Sequence, residues 1–380
     1  MKGFAPDEFR ARVAGLQGGM AAAGIDALLL TTPPDVFYVT GFLTRFWESP
    51  ARPWFVVVPA GGAPVAVIPT IGADLMGKTW IGDIRTWTAP DLIDDGVSLL
   101  GDTLAGLVAP AGRIGLPIGH ETHLRMPLAD FLRLQSSLAP REFVDSTDIL
   151  RRVREVKSPA EVDRIRTICA VADRAFARVP EIAPPGVALD HVFREFQRLL
   201  LQEGADWVPY LAGGAGPGGY GDVISPADAR PLSPGDVLML DTGAVKAGYF
   251  CDFDRNWAVG DAGDASRRAY ETLYAATEAG LAAARPGATA ADLFHAMHRV
   301  IGQDGDAGRL GHGLGLSLTE WPSIIPTDHT VMREGMVMTL EPGLEIAPGR
   351  IMVHEENIVI RNGGAELLSA RAPAELPVLE

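Results

Sequence analysis

Two aspartates in the second half of the chain are spaced like neighbours on adjacent strands. Asp241 ends an apolar run, and Asp252 follows eleven residues later, beyond Gly248. A strand, a turn at Gly248 and a return strand would place the two carboxylates side by side. Either aspartate alone would be better explained as a cap or turn residue. Together they repel each other unless a positive charge lies between them, so the pair predicts a bound cation.

Three further candidate ligands lie in the segments that follow. His312 is flanked by glycines, which leave room for the backbone to approach a bound group closely. Glu341 and Glu355 adjoin apolar runs, where an unpaired carboxylate would be unfavourable to bury. One imidazole and four carboxylates form a hard ligand set that suits Mn²⁺, Zn²⁺, Co²⁺ or Fe²⁺ rather than Cu⁺ or an iron–sulfur cluster. Because carboxylates can bridge, the set predicts two divalent metal ions.

The bulk composition argues against several classes of protein. A formal net charge of -15 without a Lys/Arg cluster indicates no nucleic-acid partner. The two cysteines, Cys169 and Cys251, form neither a disulfide framework nor a cysteine zinc site. The N-terminus lacks the apolar region of a secretory signal. No stretch approaches the roughly 18 apolar residues of a membrane span, so we expect no membrane partner and a cytoplasmic protein.

Hydrophobic periodicity predicts an α/β domain in the first half of the chain. The predicted elements are a helix containing Phe9, Val13, Leu16 and Met20 and ended by Gly24, a strand at 27–30, a turn at Pro33-Pro34, and a hairpin of strands 54–58 and 65–68 around Gly61-Gly62. Helical and strand-like segments then alternate to about Leu150. This pattern is typical of a small domain with a mostly buried sheet.

The second domain is predicted to open with a long helix. Ser158 is a good N-cap, Pro159 fits the first helical position, and Glu161 completes a capping box. One apolar face continues through Val162, Ile165, Cys169, Ala172, Phe176 and Val179. Two more helices are predicted around 188–203 and 265–285, among strands such as 237–240, which indicates an α+β domain. We therefore expect domains at 1–153 and 154–380.

Five segments of the second domain resemble the superfamily of methionine aminopeptidase, aminopeptidase P, prolidase and creatinase. In the family's order, the segments are Asp241-x-Gly243, Gly248-Tyr249-x-x-Asp252, Gly311-His312-Gly313-x-Gly315, Glu341-Pro342-Gly343 and Glu355 before a closing strand. The first domain and the junction at 157–161 resemble the two-domain branch of aminopeptidase P and Xaa-Pro dipeptidase. The resemblance implies an α/β N-terminal domain followed by an α+β catalytic domain with the pita-bread fold.

The resemblance also implies a role for each ligand. Asp252 and Glu355 would bridge the two metals. Asp241 would bind one metal, and His312 and Glu341 the other. Two such ions, with Mn²⁺ as the first choice, would activate a shared water and stabilise an oxyanion. Glu341 is the candidate catalytic residue, moving a proton from water to the leaving nitrogen. The leading prediction is a dinuclear-metal hydrolase of a C–N amide bond, similar to the metallopeptidases Xaa-Pro dipeptidase and aminopeptidase P.

The sequence departs from proline-specific relatives where substrate would be handled. Thr319 stands where the family usually has a histidine, and the loop 216–223 lacks a second one. Asp254 replaces a common threonine, and Val353 stands where an arginine often precedes the last glutamate. The alternatives are therefore a non-peptidase amidohydrolase, similar to ectoine hydrolase or creatinase, and a metal-dependent lyase. A non-catalytic binding protein is disfavoured, because all five ligands are present.

Five side chains are candidate substrate contacts. Thr319, Tyr249 and Arg255 lie near the ligand motifs, although packing or a surface salt bridge would explain each of them equally well. Trp47 and Arg52 lie in a loop of the first domain that is rich in aromatic residues and arginines. In two-domain relatives this domain reaches into a partner subunit's site. We therefore expect a homodimer in which the loop contacts a small-molecule or dipeptide substrate.

At two other places, a purely structural role competes with a functional one. In the same loop, Trp54 would belong to the core and Arg45 would be solvated. His295 and His298 are spaced i, i+3 on a helix, which permits metal binding. They lack a suitable carboxylate companion, so we interpret them as structural.

Overall fold

The computed structural model describes residues 4–48, 52–303 and 308–380. The chain falls into two units, Met1–Arg154 and Glu155–Glu380. Within the described ranges, no helix combines the length and apolar character needed to cross a membrane.

A six-stranded mixed sheet forms the centre of the first unit. Its strands are β1 (Ala27–Leu30), β2 (Phe55–Pro59), β3 (Val65–Pro69), β4 (Asp83–Trp87), β5 (Arg113–Leu116) and β6 (Glu142–Asp145). They lie in the order β4-β3-β2-β1-β5-β6. The pairs β1–β2 and β2–β3 are antiparallel, and the other pairs are parallel. The pairing of β2 with β3 confirms the predicted hairpin. β1, β2 and β3 are buried throughout, as predicted for a mostly buried sheet.

Six α-helices accompany this sheet in the described part of the unit. They are α1 (Pro6–Ala23), α2 (Pro33–Thr40), α3 (Ala73–Met76), α4 (Val97–Leu107), α5 (Leu128–Leu138) and α6 (Thr147–Arg154), with 3-10 turns at Phe46–Glu48 and Thr70–Gly72. Gly24 ends α1 with a φ of 63°, as predicted. The turn predicted at Pro33 is wrong, because the two prolines begin α2 behind the N-cap Thr32. A proline lacks the N–H that a first helical position leaves unpaired, so it starts a helix well.

The second unit combines four α-helices with three sheets in its described residues. The helices are α7 (Pro159–Phe176), α8 (Leu189–Glu203), α9 (Gly263–Ala283) and α10 (Ala290–Ile301), with a 3-10 turn at Val179–Glu181. The strands are β7 (Trp207–Pro217), β8 (Asp236–Lys246), β9 (Tyr249–Phe250), β10 (Phe253–Val259), β11 (His312–Gly313), β12 (Glu320–Ser323), β13 (Val337–Leu340), β14 (Gly343–Ala347), β15 (Arg350–Val353), β16 (Glu356–Arg361), β17 (Gly364–Leu367) and β18 (Val378–Leu379). The predicted α+β composition is confirmed.

Two of these sheets carry the candidate ligands. One has the order β18-β10-β8-β7, with β9 paired to β8, and the other has the order β12-β11-β13-β16-β17. β14 and β15 form a separate hairpin. The capping box predicted at Ser158 is present at the start of α7, which ends at Phe176, three residues before the predicted limit of its apolar face at Val179.

Side chains from α10 pack against the second of these sheets. Leu293 and Met297 of α10 share a core with Met338 of β13 and Ile358 of β16, and all four are fully buried. Burial of such side chains contributes about 1.5–3 kcal/mol each. This core fixes the strands from which two candidate ligands, Glu341 and Glu355, project at one end.

Candidate metal centre

Antiparallel strands bring the two predicted aspartates together. β8 leads into a turn at Ala247 and Gly248, whose φ angles of 51° and 89° are left-handed, and the chain returns through β9 and β10. Asp241 lies in β8 and Asp252 directly precedes β10. Asp254 of β10 is the residue paired with Asp241. The predicted strand–turn–strand is confirmed, and it gathers three carboxylates.

The five predicted ligands form two overlapping groups. Ligand atoms of Asp252, His312 and Glu341 lie within 4.8 Å of one another. The same holds for Asp241, Asp252 and Glu355. His312 Nε2 lies 2.8 Å from Glu341 Oε1 and 3.3 Å from Asp252 Oδ2. Because Asp252 belongs to both groups, the cluster has the arrangement of two sites that share a ligand.

Burial and mutual repulsion make the aspartate side of the cluster unfavourable without a cation. Asp241 Oδ1 is buried and has no hydrogen-bond partner among the described residues. Burial, then the charges of Asp252 and Asp254, raise the pKa of Asp241 well above its ordinary value. Burial and the charge of Asp241 raise the pKa of Glu355 in the same way. A buried carboxylate oxygen without a donor is an open ligand position, so these residues fit divalent cations.

The charges of His312 and Glu341 have opposite signs and compensate each other, unlike those of the neighbouring carboxylates. Burial alone would lower the pKa of His312, but Glu341 and Asp252 outweigh it and raise that pKa to about 10. Burial would raise the pKa of Glu341, but His312 and Thr339 outweigh it and lower that pKa. The Thr339 hydroxyl donates a hydrogen bond to Glu341 Oε1. Its oxygen accepts one from the backbone N–H of His312 at 3.2 Å. One side chain of β13 therefore positions both ligands.

The glycines beside His312 serve close packing between strands. A Cβ at Gly311, whose φ is 138°, would lie 2.3 Å from the carbonyl oxygen of Thr339. A Cβ at Gly313 would lie 2.2 Å from the carbonyl oxygen of Trp321. The expectation that these glycines make room for a bound group is therefore corrected, since the close neighbours are the backbones of β12 and β13.

Asn357 of β16 clamps the backbone of Asp252. The Asp252 N–H donates to Asn357 Oδ1 at 3.0 Å, and Asn357 Nδ2 donates to the Asp252 carbonyl oxygen. Cys169 of α7 donates its thiol to the same Oδ1 at 3.3 Å. Asn357 is fully buried, so these bonds are formed away from water. The clamp fixes the shared ligand against the sheet that carries Glu355.

We expect Asn357→Ala to weaken metal binding by about 10- to 100-fold, the usual effect of losing a residue that orients a ligand. Calorimetric titration of Mn²⁺ into the metal-free variant measures the change. Asn362→Ala, at an exposed asparagine that donates to Glu334, is the matched control and should bind like the wild type. If Asn357→Ala folds and binds the metal with unchanged affinity, the clamp does not position Asp252.

Asp254 and Arg255 support Glu355 from β10. Asp254 Oδ1 accepts the Glu355 N–H at 2.6 Å, and Arg255 donates to the Glu355 carbonyl oxygen at 2.9 Å. Arg255 also donates to Glu356 Oε2 at 3.0 Å and is buried. The predicted substrate contact of Arg255 is therefore not supported, because its guanidinium is engaged inside the protein.

The other two substrate candidates of the second unit differ in their surroundings. Tyr249 is fully buried, and its hydroxyl donates to Glu161 Oε1 at 2.9 Å. The structure thus gives Tyr249 a packing role at the start of α7 and does not support the predicted substrate contact. Thr319 is partly buried in the loop between β11 and β12, and its substrate role stays a prediction.

Trp47 and Arg52 are organised within the first unit by Arg125. The Arg125 guanidinium lies 4.9 Å from the centre of the Trp47 ring and donates to the carbonyl oxygens of Trp47 and Arg52 at 2.9 and 2.6 Å. Arg52 itself lies over the Phe46 ring at 5.6 Å. Trp54 is buried, as expected for a core residue. Contacts of Trp47 and Arg52 with substrate stay predictions.

The paired histidines of α10 pack against an aromatic ring. His298 stacks on Phe294 with ring centres 5.3 Å apart, and His295 meets the same ring edge-on at 5.5 Å. Neither histidine belongs to a potential ligand group among the described residues. Both therefore behave as structural residues.

Tyr210 is a site residue that the sequence did not reveal. It lies in β7 opposite Gly243, two residues beyond Asp241. Burial, then the charges of Asp241 and Glu355, raise the pKa of its hydroxyl. The sequence gave no signal for Tyr210, because the run around it lacks clear alternation of apolar and polar residues. Its neighbours at the site are decided by the pairing of β7 with β8.

Comparison with known proteins gives the same architecture. The model of metallopeptidase family M24 matches residues 163–362, and that of the creatinase/prolidase N-terminal domain matches residues 12–156. A protein of Mycobacterium tuberculosis (strain ATCC 25618 / H37Rv) described as a probable dipeptidase PepE is 31% identical over 99% of this chain and 98% of its own length. The Xaa-Pro dipeptidase of Pyrococcus horikoshii is 26% identical over 90% of this chain and 92% of its own.

Solved structures agree in fold along the whole chain. Dipeptidase PepE from Mycobacterium ulcerans has a TM-score of 0.85 at 29% identity and covers 99% of both chains. The resemblance predicted from five short motifs is confirmed, together with the predicted fold class. Membership of this family implies divalent metal ions, which the acidic cluster fits. The chain belongs to metallopeptidase family M24, in its two-domain pita-bread branch, and is a metal-dependent hydrolase.

Proposed function

We propose that this protein is a dinuclear-metal dipeptidase that hydrolyses the amide bond of short peptides, with Xaa-Pro dipeptides as its first candidate substrates. The observation that carries the proposal is the pair of ligand groups sharing Asp252. The names of its relatives, a probable dipeptidase and an Xaa-Pro dipeptidase, support the substrate class. Mn²⁺ is the first candidate ion, followed by Zn²⁺, Co²⁺ and Fe²⁺, because the ligands are oxygen-rich.

In this proposal each ligand has a defined place. Asp252 and Glu355 would be shared by the two ions, Asp241 would hold one of them, and His312 and Glu341 would hold the other. The membership of Asp252 in both groups supports its bridging role. The buried, unpaired Oδ1 of Asp241 supports a metal as its missing partner. The charge balance also agrees, since four carboxylates offset two divalent cations.

Glu341 is the proposed proton carrier. Divalent ions held there would lower the pKa of water toward neutrality and polarise a carbonyl group. The lowered pKa of Glu341 keeps its carboxylate ionised at neutral pH, so it can accept a proton from water. Thr339 donates to its Oε1 and so fixes the carboxylate. Glu341 then passes the proton to the departing nitrogen.

Release of free proline from Ala-Pro and Gly-Pro by the Mn²⁺-loaded protein tests this function. We expect turnover by the wild type and none by Asp252→Asn, which serves as the blank. A wild-type protein that demonstrably holds two metals and leaves both dipeptides intact would overturn the Xaa-Pro assignment. Small cyclic amides and amidines would then be the substrates to assay.

The second candidate is an amidohydrolase of a small molecule. It is favoured by Thr319, which stands in the loop between β11 and β12 where proline-specific relatives usually have histidine. Among the described residues, neither ligand group contains a histidine besides His312. A homodimer and a cytoplasmic location stay predictions.

A further inference from the structure

Loop 314–319 joins β11 to β12 and contacts the other ligand-bearing sheet at two points. The carbonyl oxygen of Gly315 accepts a hydrogen bond from the backbone N–H of Phe250 in β9 at 2.9 Å. Leu318 packs directly on Gly243 of β8, where an added Cβ would lie 2.3 Å from Leu318 Cδ1. The loop is therefore held to β8 and β9, outside the sheet to which its own flanking strands belong.

These two contacts flank the aspartates of the candidate metal centre. Gly243 follows Asp241 by two residues, and Phe250 precedes Asp252 by two residues. His312 in β11 stands just before the loop, and its Nε2 lies 3.3 Å from Asp252 Oδ2. Because the loop links the strand of His312 to the segments of the aspartates, its position controls how ligands from the two sheets meet.

The carboxylate of Glu320 holds the loop in this shape. Its Oε1 accepts hydrogen bonds from the backbone N–H groups of Leu316 at 2.8 Å and Ser317 at 3.1 Å. Both carboxylate oxygens occupy the space beside Gly315, since an added Cβ there would lie 2.9 Å from each. The two bonds use one carboxylate oxygen, which leaves the other for a cation.

Lys157 supplies that cation from the residue before the N-cap of α7. Its Nζ lies 3.1 Å from Glu320 Oε2, and the two side chains are only 2% and 8% exposed. The Lys157 backbone N–H donates to the carbonyl oxygen of Gly335 at 2.9 Å, so the lysine is itself fixed. A buried ion pair is weak evidence of a stabilising role, because desolvation of the two charges offsets their attraction. The contacts of this pair indicate a positioning role instead.

We propose that Lys157 and Glu320 are positioning residues for the metal centre. Their ion pair holds loop 314–319 against β8 and β9 and thereby keeps His312 within reach of the ions that Asp252 shares. Neither residue belongs to a ligand group, so each acts only through the loop. This inference rests on the proposed two-ion site, but it is independent of the substrate.

Two double variants test the inference, because both remove the buried charges and they differ in the oxygen offered to the loop. Lys157→Met/Glu320→Gln keeps an amide oxygen that can accept from Leu316 and Ser317. Lys157→Met/Glu320→Met has a side chain of similar shape without that oxygen. We expect the first to bind Mn²⁺ within about threefold of the wild type and the second at least about tenfold more weakly, as measured by calorimetric titration of the metal-free proteins.

Limited proteolysis by chymotrypsin shows whether the loop has been released. Cleavage after Leu316 or Leu318, identified by mass spectrometry, should be slow in the wild type and in the glutamine double variant. It should be faster in the methionine double variant, because a segment that has lost its hydrogen bonds opens more often. Weaker metal binding together with faster cleavage in that variant alone supports the positioning role.

Arg230→Met/Asp236→Asn is the matched control. This pair also joins a buried carboxylate to a cation, and Asp236 likewise accepts a loop N–H, from Ser233 at 2.8 Å. The control should bind Mn²⁺ like the wild type. Wild-type affinity in the methionine double variant would overturn the inference, and so would equal losses of affinity in both double variants.

Gly315→Ala tests the same point if the methionine double variant does not fold. The added Cβ would displace the Glu320 carboxylate while both charges stay in place. This variant should also bind Mn²⁺ more weakly and be cleaved faster within the loop. Faster cleavage with wild-type affinity would contradict the positioning role.

The wild-type protein separates this inference from the proposed function. If it binds two ions but hydrolyses neither Ala-Pro nor Gly-Pro, the dipeptidase function fails and the affinities of the variants still decide the inference. If it binds one ion, the two-ion site fails and the affinity for that ion decides. If it hydrolyses Ala-Pro and the methionine double variant keeps the wild-type affinity for Mn²⁺, only the inference fails.

Discussion

Asp252→Asn will abolish turnover and lower the metal content of the protein, because Asp252 belongs to both ligand groups. We expect kcat/KM to fall at least about a thousandfold, as the variant cannot hold two ions in a shared site. Elemental analysis after dialysis should show one equivalent of metal or less, against two in the wild type. Asp163→Asn, at an exposed aspartate of α7, is the matched control and should change neither quantity.

The same substitution should stabilise the metal-free protein. The folded-state pKa of Asp252 is raised to about 6, chiefly by burial, so its contribution to stability is lost as the pH rises through that value. At pH values above it, metal-free Asp252→Asn should melt at a higher temperature than the metal-free wild type. The difference should shrink on acidification, as the wild-type carboxyl takes up its proton.

Two outcomes would contradict these expectations, the first for the shared-ligand assignment of Asp252 and the second for its effect on the stability of the metal-free protein. One is a variant that retains two metals and full turnover. The other is a metal-free variant that melts below the metal-free wild type throughout the pH series, which would give Asp252 a stabilising structural role instead.

Glu341→Gln should remove most of kcat while leaving the fold intact. Glutamine has nearly the same shape and keeps an oxygen that can accept from Thr339, but it cannot take up a proton from water. Loss of a general base typically lowers the rate by about 10²–10⁴. We expect kcat to fall by this factor at saturating Mn²⁺, with KM for Ala-Pro changed much less.

Thr339→Ser is the control for Glu341→Gln, because it keeps the hydroxyl that donates to Glu341. It should retain substantial activity. Circular dichroism and metal analysis of Glu341→Gln distinguish a lost proton carrier from a lost ion. Full activity of Glu341→Gln at saturating metal would remove Glu341 from the catalytic step.

Much of the fold could be predicted because its signals are local. Gly24 ends α1 in a left-handed conformation that glycine adopts freely, and the capping box of Ser158 and Glu161 starts α7. The prolines at 33 and 34 misled the prediction, because proline favours both turns and first helical positions. Only the neighbouring Thr32, which caps α2, decides between these two outcomes.

The five candidate ligands could be named from the sequence because each stands at a recognisable strand end or glycine-rich segment, in the order of the family's motifs. Their supporting residues could not, because these contacts join distant parts of the chain. Asn357 is 105 residues from the Asp252 backbone that it clamps. A buried asparagine in an apolar strand was the available signal, since its amide must find partners. Tyr210 gave no comparable signal.

The division of the ligands between two sheets has a consequence for unfolding. Asp241 and Asp252 belong to the β8–β10 side, whereas His312, Glu341 and Glu355 belong to the sheet around β13. Bound ions would therefore act as cross-links that only the folded chain can offer. Each tenfold rise in free ion above its dissociation constant would add about 1.4 kcal/mol per site to the apparent stability. Without ions, amide hydrogens of the two sheets should exchange at separate rates, and with ions they should become protected together.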